Sequence, residues 1–421
     1  MFSLFKRQAV LMVGVALFSQ LLQLASYLVL TRNYNATELG AFAQFNAIML
    51  LFLPWASLAF PSALALVNNE AQRLYLSKLA VFATITTATL VQLLFWGYWF
   101  YYQNANPLFL YGPFIAICGA GIASLAEQRC LLAGRLKQQA VVVLSVAFLF
   151  CMSRVLLGLY QADAHWLLVT AILQPVALAC LYYLAAAKTT EKNLCWRWSD
   201  LKQTYQQFSV FPTYQASQLA FNAWSQSIPL LLFSYWFGLD VLAFLNIAVL
   251  LLVAPSMLVN KAAGDVYYPL AARLLDNRRV LCKFLLQCTG ALFIVLLLPF
   301  SLLGLYAEAI YAFLFGDEWQ SAGHYALWLV PWYFLVCLNA PALKTLMVLR
   351  QQKVSFYLNI FTFIIRCSAI AAGAIVFKSV WWALGLYGAA GCIHNLVIIG
   401  IAFKAVAKNS SPQVVPDNAA T

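Results

Sequence analysis

Twelve apolar stretches, each about the length of a bilayer-spanning helix, run through the chain at residues 8–30, 41–67, 76–102, 107–128, 138–160, 164–187, 207–237, 241–262, 280–302, 324–349, 355–377 and 381–405. A helix that crosses the hydrocarbon core needs about 20 mostly apolar residues, and each stretch supplies them. Little sequence is left for anything else: 64% of the chain is hydrophobic and 9% charged, with a mean hydropathy of +0.82. These figures exclude a soluble domain and predict an all-α polytopic membrane protein. The stretches 41–67 and 207–237 exceed what a bilayer requires, so they are expected to tilt or extend beyond it.

The basic residues indicate an orientation. With the N-terminus inside and the sides alternating, nearly all of the 25 lysines and arginines fall in cytoplasmic ends and loops. Only Arg32 and Lys378 fall outside, and Arg154 and Arg366 lie within apolar stretches. Such a skew is the positive-inside rule, and it supports twelve spans with both termini cytoplasmic. The formal net charge of +12 is therefore mostly topological. Its bases are scattered over short segments, so no nucleic-acid partner is expected. The first stretch follows Lys6 and Arg7, is too long for a signal-peptide core, and is read as a spanning helix. The ten cysteines sit mostly in or beside apolar stretches without metal-ligand spacing. They read as small hydrophobes, and no metal or cofactor is expected.

The two halves echo each other. Pro61-Ser62 at the end of the second stretch matches Pro255-Ser256 in the eighth, each with an asparagine following, Asn68 and Asn260. Ala41-Phe42 with Asn46 matches Ala243-Phe244 with Asn246. The fourth stretch exits through Gly134-Arg135 and the tenth through Leu349-Arg350. Arg154 and Arg366 occupy the fifth and eleventh. Six helices is an even number, so both halves enter from one side and should be related by an axis along the membrane normal, with the substrate site between them. The expected organisation is an N-terminal six-helix bundle at 1–187, a polar cytoplasmic linker at 188–206, a C-terminal six-helix bundle at 207–405 and a disordered cytoplasmic tail at 406–421. The largest outer loop, about 304–323, is expected to form a short interfacial helix.

A charge within the hydrocarbon core costs at least about 2.5–3.5 kcal/mol, so it is seldom idle. Neither arginine-bearing stretch holds an acidic residue to neutralise it. An anionic ligand is the candidate partner; a tie to helix-end carbonyls or water is the structural alternative. The first and seventh stretches are the most polar: Ser19, Gln20, Gln23 and Ser26 in one, Gln215, Ser217, Gln218, Asn222, Trp224, Ser225 and Gln226 in the other. Gln215, Gln218 and Asn222 share a helical face. Such a face needs either a partner helix or a wet cavity. Pro54, Pro61, Pro255, Pro331 and Pro341 are expected to interrupt their helices, and Pro61 and Pro255 are candidate gating hinges. Acidic residues sit at stretch ends and in loops, so no dedicated carboxylate relay for protons or sodium is visible.

Several local patterns carry a resemblance: Phe211-Pro212-Thr213-Tyr214, Phe244 through Ala254-Pro255-Ser256, Phe315-Gly316-Asp317-Glu318-Trp319 through Gly323, and Leu349-Arg350-Gln351. With these, essentially the whole chain resembles the bacterial polysaccharide repeat-unit (O-antigen, Wzx-like) flippases of the multidrug/oligosaccharidyl-lipid/polysaccharide exporter superfamily. The resemblance implies two pseudo-symmetric six-helix bundles around a central cavity in the bacterial inner membrane. It also implies translocation of an undecaprenyl-pyrophosphate-linked oligosaccharide from the cytoplasmic to the periplasmic leaflet, beside a polysaccharide polymerase and a chain-length regulator. On that view Arg154 and Arg366, with Lys344 and Arg32 nearer the ends, contact the pyrophosphate. Gln20, Gln23, Gln215, Gln218, Asn222 and Trp224 line the sugar cavity. A multidrug extrusion antiporter shares the layout, but its typical cationic substrates disfavour an arginine-bearing interior. A membrane-embedded polymerase or glycosyltransferase would usually carry a larger outer loop, and a lipid II-like flippase usually has fourteen helices.

Overall fold

The computed structural model describes residues 2–67, 69–102, 107–186 and 198–408, and they are helical almost throughout. Among the described residues, eleven helices are long and apolar enough to cross a membrane. The protein is an all-α, multi-pass membrane protein. Its helices are α1 (Phe2–Asn33), α2 (Ala36–Phe52), the single turn α3 (Phe60–Ala63), α4 (Glu70–Tyr102), α5 (Gly112–Leu132), α6 (Leu136–Tyr160), α7 (Ala164–Ala186), α8 (Trp198–Gln207), α9 (Ala216–Phe237), α10 (Leu239–Ala262), α11 (Tyr268–Arg273), α12 (Arg278–Leu305), α13 (Ala307–Phe315), α14 (Gln320–Val348), α15 (Gln352–Ile375) and α16 (Val380–Lys408). The seventh expected span, 207–237, divides into the end of α8, a π-helical turn at Phe211–Gln215 and α9. Its Gln, Asn and Ser content separates α9 from the eleven. The outer loop holds the nine-residue α13.

The chain forms two compact units, Met1–Ala243 and Phe244–Thr421. In the first, α5 packs on α4 and α7, and α1 on α6. Small residues permit these approaches, as is usual where lipid offers no hydrophobic drive. A Cβ on Gly119 would lie 2.7 Å from the Val176 backbone nitrogen, and one on Gly121 would strike the Thr84 side chain. The unit also contains α9, which sequence alone assigned to the second bundle, because α9 packs on α2. Gln44 Nε2 donates to Ser234 Oγ at 2.9 Å, and Trp224 Nε1 donates to the Leu51 carbonyl at 3.1 Å. At the other end of α2, Thr37 donates to Asp240 at 2.6 Å. In the second unit α14, α15 and α16 pack together, with α12 against α14 and α16. The end of α16 at Lys408 overlaps the expected tail, whose residues 409–421 lie outside the described residues, as do 188–197 of the expected linker and Asn68 of the repeat.

The expected interruptions occur only in part. The second stretch does break: Pro54 opens a 3-10 turn, Leu58 and Ala59 take left-handed φ of 48° and 57°, and Pro61 opens α3. Freed carbonyls there receive side-chain donors, with Trp224 on Leu51 and Thr87 Oγ1 on Trp55 at 3.1 Å. By contrast α10 continues through Pro255, and α14 through Pro331 and Pro341. One missing N–H does not end a helix whose flanks are held by packing. The irregularity comes just after the eighth stretch, as a π-helical turn at Ala263–Tyr267.

The repeat at the ends of α5 and α14 is structural. Both close with the same pair of capping bonds: Gly134 and Arg135 N–H reach Leu131 and Cys130 O, while Arg350 and Gln351 N–H reach Met347 and Leu346 O. The left-handed residue is Gly134 (φ 70°) in one and Arg350 (φ 57°) in the other. A side chain in that conformation costs about 1–2 kcal/mol. Arg350→Gly is therefore expected to stabilise the protein by about 1 kcal/mol, and Gly134→Ala to destabilise it by a similar amount. Thermal unfolding in detergent checks both signs.

Candidate functional site

The two intramembrane arginines have opposite surroundings. Arg154 on α6 is 8% exposed. Its Nε donates to Thr170 Oγ1 at 3.0 Å and its Nη2 to Gln174 Oε1 at 2.7 Å, both on α7. The guanidinium also lies over the Phe42 ring, 4.9 Å from its centroid. Tyr34 donates to the Arg154 carbonyl at 3.3 Å, and burial pushes that phenol up to about 12, so it stays a donor at neutral pH. Thr170 and Gln174 are one helical turn apart and reach one guanidinium together. Arg154 is thus enclosed by its own unit.

Arg366 on α15 is half-buried. Its guanidinium lies over the Trp332 indole of α14, 4.5 Å from the ring centroid. Its Nε is buried with no hydrogen-bond partner among the described residues, and so is Trp332 Nε1. No acid on the neighbouring helices can answer the charge, because the sequence from Gln320 to Lys408 contains neither Asp nor Glu. Trp332 meets Tyr387 of α16 edge-on at 5.0 Å and Tyr333 at 5.3 Å. Gly391 makes room for the indole, since a Cβ there would collide with it. One turn from Arg366, Thr362 shares a 2.7 Å hydrogen bond with His394 Nδ1. Asn339 and Asn395 are buried and bonded to each other, and Asn395 also donates to the Gly391 carbonyl at 2.7 Å. This cluster is cationic and aromatic, with two buried donors that lack acceptors among the described residues, and its chemistry suits an anion or a sugar edge.

The other expected residues scatter. Lys344 is half-buried, packed 3.8 Å from where a Cβ on Gly264 would stand in the π-helical turn. Arg32 is exposed at the end of α1. Gln20 and Gln23 are half-buried on α1, and the nearby Ser19 hydroxyl is buried without a partner among the described residues. Gln215 is half-buried in the π-helical turn, and Gln218, Asn222 and Gln226 form an exposed stripe at four-residue spacing on α9. Gln226 Nε2 reaches only the Asn222 carbonyl of its own helix, at 3.3 Å. That stripe lacks the interhelical bonds of the structural alternative, so it calls for water. Trp224 is tied to the α2 break, its ring tilted against Trp55 at 6.3 Å between centroids. Among carboxylates, Glu127 of α5 is half-buried and accepts from Gln139 Nε2 at 2.8 Å.

Sequence reasoning missed Trp332, Thr362 and Tyr387; it had singled out His394, with Asp265, only as a group that could couple protons. One signal was present: Gly385, Gly388 and Gly391 recur every three residues on α16, and the tryptophans at 328 and 332 of α14 seat against them.

No family model matches the sequence, and no curated protein is similar to it. Solved structures share its fold. The lipid II flippase MurJ, in an inward closed conformation, has a TM-score of 0.68 at 11% identity, covering 95% of this chain and 89% of that one. An inward-facing multidrug resistance MATE family transporter of the MOP superfamily has 0.66 at 12% identity, covering 93% and 96%. A MOP superfamily transporter from Pyrococcus furiosus, described as having a binding pocket of reverse polarity, has 0.56 at 10% identity, covering 96% and 95%. The chain has the fold of MOP superfamily transporters.

The contrast between the arginines has a measurable consequence. Arg154→Met strands Thr170 and Gln174 and should destabilise the protein by about 2–3 kcal/mol. Arg366→Met removes a desolvated charge without a partner and should leave stability unchanged or raise it by about 1 kcal/mol. Thermal unfolding in lipid nanodiscs compares the two.

Proposed function

We propose that the chain is a flippase that carries undecaprenyl-pyrophosphate-linked oligosaccharide repeat units from the cytoplasmic to the periplasmic leaflet of a bacterial inner membrane by alternating access, for O-antigen or a related surface polysaccharide. Arg366 carries the proposal: a guanidinium on an aromatic face, its Nε without an acceptor, among three helices without an acid. Guanidinium remains charged when desolvated and its planar fork matches phosphate oxygens, so a diphosphate is its natural partner. The exposed amides of Gln218 and Asn222, with Gln20 and Gln23, offer donors and acceptors for sugar hydroxyls. Lys344 and Arg32 are available to a headgroup entering or leaving, and the Leu58–Ala59 break beside Pro61 is the hinge best suited to bending. Arg154 has a scaffolding role here, holding α6 to α7.

The fold is shared with a multidrug transporter and with a lipid II flippase. An interior bearing arginine without a facing acid favours the anionic cargo over a cationic drug. Both termini are cytoplasmic in this scheme, and a polymerase and chain-length regulator receive the exported units. The membrane potential supplies drive: each negative charge moved outward gains about 2.3 kcal/mol per 100 mV.

In cells deleted for the protein, Arg366→Ala at matched expression should reduce surface polymer about ten- to hundredfold while lipid-linked units accumulate, with partial rescue by Arg366→Lys. Normal export by both variants would refute the assignment. In vesicles, an imposed potential without an ion gradient should accelerate outward movement, and an unchanged rate would remove potential as the drive.

A further inference from the structure

The first unit contains a large groove that the proposed anion site does not use. Its volume is about 840 Å³, and its wall is nearly all apolar. One side is the α4 stripe of Phe82, Leu90 and Leu94, each more than half exposed. The other is the broken segment after α2, with Trp55 and Leu58 among its residues. The two left-handed residues of that break turn the chain aside, and Leu58 contributes directly to the wall. Charge gathers at one end only: Lys78 of α4 and Lys202 of α8 line the groove there. Asp200 of α8 stands near them, accepting from Tyr75 at 2.8 Å, while Lys78 Nζ lies 5.7 Å from the Tyr75 ring centroid. Lys78 and Lys202 are the basic side chains that line that mouth.

The dimensions narrow the occupant. From Lys78 to Leu94, α4 rises about 24 Å. A bilayer core is about 30 Å thick, so one leaflet offers about 15 Å and an ordinary acyl chain stops near the midplane. With Lys78 at the lipid surface, a groove running along α4 as far as Leu94 passes the midplane, and with lysines at its mouth it fits a chain longer than a leaflet bearing an anionic head. We propose that this groove binds the polyprenyl chain of the lipid-linked cargo, with its pyrophosphate drawn to Lys78 and Lys202 at the cytoplasmic mouth. This inference rests on the flippase proposal for the identity of the cargo. It adds a lipid-tail site on the first unit, distinct in residues from Arg366.

Photolabelling of the purified protein in nanodiscs tests it with three diazirine-bearing probes: undecaprenyl pyrophosphate, neutral undecaprenol, and phosphatidylglycerol with ordinary acyl chains. The pyrophosphate should label peptides from α4 and α8. Leu90→Trp, which fills an exposed part of the groove, should cut that labelling roughly tenfold. The double variant Lys78→Gln, Lys202→Gln should lower it roughly tenfold toward the undecaprenol level without changing undecaprenol labelling. Equal labelling by phosphatidylglycerol would overturn the inference, because the groove would then hold bulk lipid. Labelling insensitive to Leu90→Trp would overturn it too. Arg366→Ala separates the two proposals: it should abolish export yet retain groove labelling. Export that needs Arg366 without groove labelling rejects the tail site alone. Groove labelling with normal export by Arg366→Ala rejects the role of Arg366 alone.

Discussion

A charge in a hydrocarbon environment must find a partner, and the last three helices of this chain give Arg366 none of its own sign-opposite kind. Its guanidinium lies on Trp332, while Nε is buried without an acceptor. The surrounding packing makes that position possible. Gly391 yields space to the indole, Tyr387 buttresses its edge, and the Asn339–Asn395 pair satisfies its own polar groups within the same helices. An aromatic face offsets part of the desolvation, at about 2 kcal/mol or more when water is excluded. The remainder is a standing preference for an anion.

Arg154 is the internal control. It lies in the matching stretch of the sequence, yet Thr170 and Gln174 accept from its Nε and Nη2, and Phe42 lies against its face. The two arginines therefore differ in their surroundings, one held by hydrogen bonds to a neighbouring helix and one on an indole with a buried Nε that lacks an acceptor among the described residues. The difference extends to the proline pairs: the second stretch breaks at Leu58–Ala59, whereas α10 passes through Pro255 unbroken.

The helices themselves were legible because the lipid requirement is coarse: an apolar run of sufficient length identifies its own span within a few residues. Two stretches departed: 41–67 breaks after α2, and 207–237 was obscured by the polar residues that form the exposed stripe of α9. Arg154 and Arg366 stood out as charges, but their contrasting surroundings did not, because acceptors come from a neighbouring helix 16 and 20 residues away. Thr170 and Gln174, a turn apart in an apolar run, were the available hint. The proline expectation failed in α10 and α14 because a single missing donor is a weak signal against tertiary packing. Lys78 and Lys202 were absorbed into the positive-inside count, and only the folding of α8 onto α4 brings them to one groove.

The central claim is that an unanswered arginine in an acid-free bundle binds the diphosphate of a lipid-linked cargo during transport. Its most direct test is reconstitution: fluorescent lipid-linked oligosaccharide in proteoliposomes, with outward movement followed by a membrane-impermeant quencher, for wild type and for Arg366→Met at equal thermal stability. Rapid movement is expected of the wild type, and movement near the protein-free rate of Arg366→Met. Equal rates for the two proteins would contradict it.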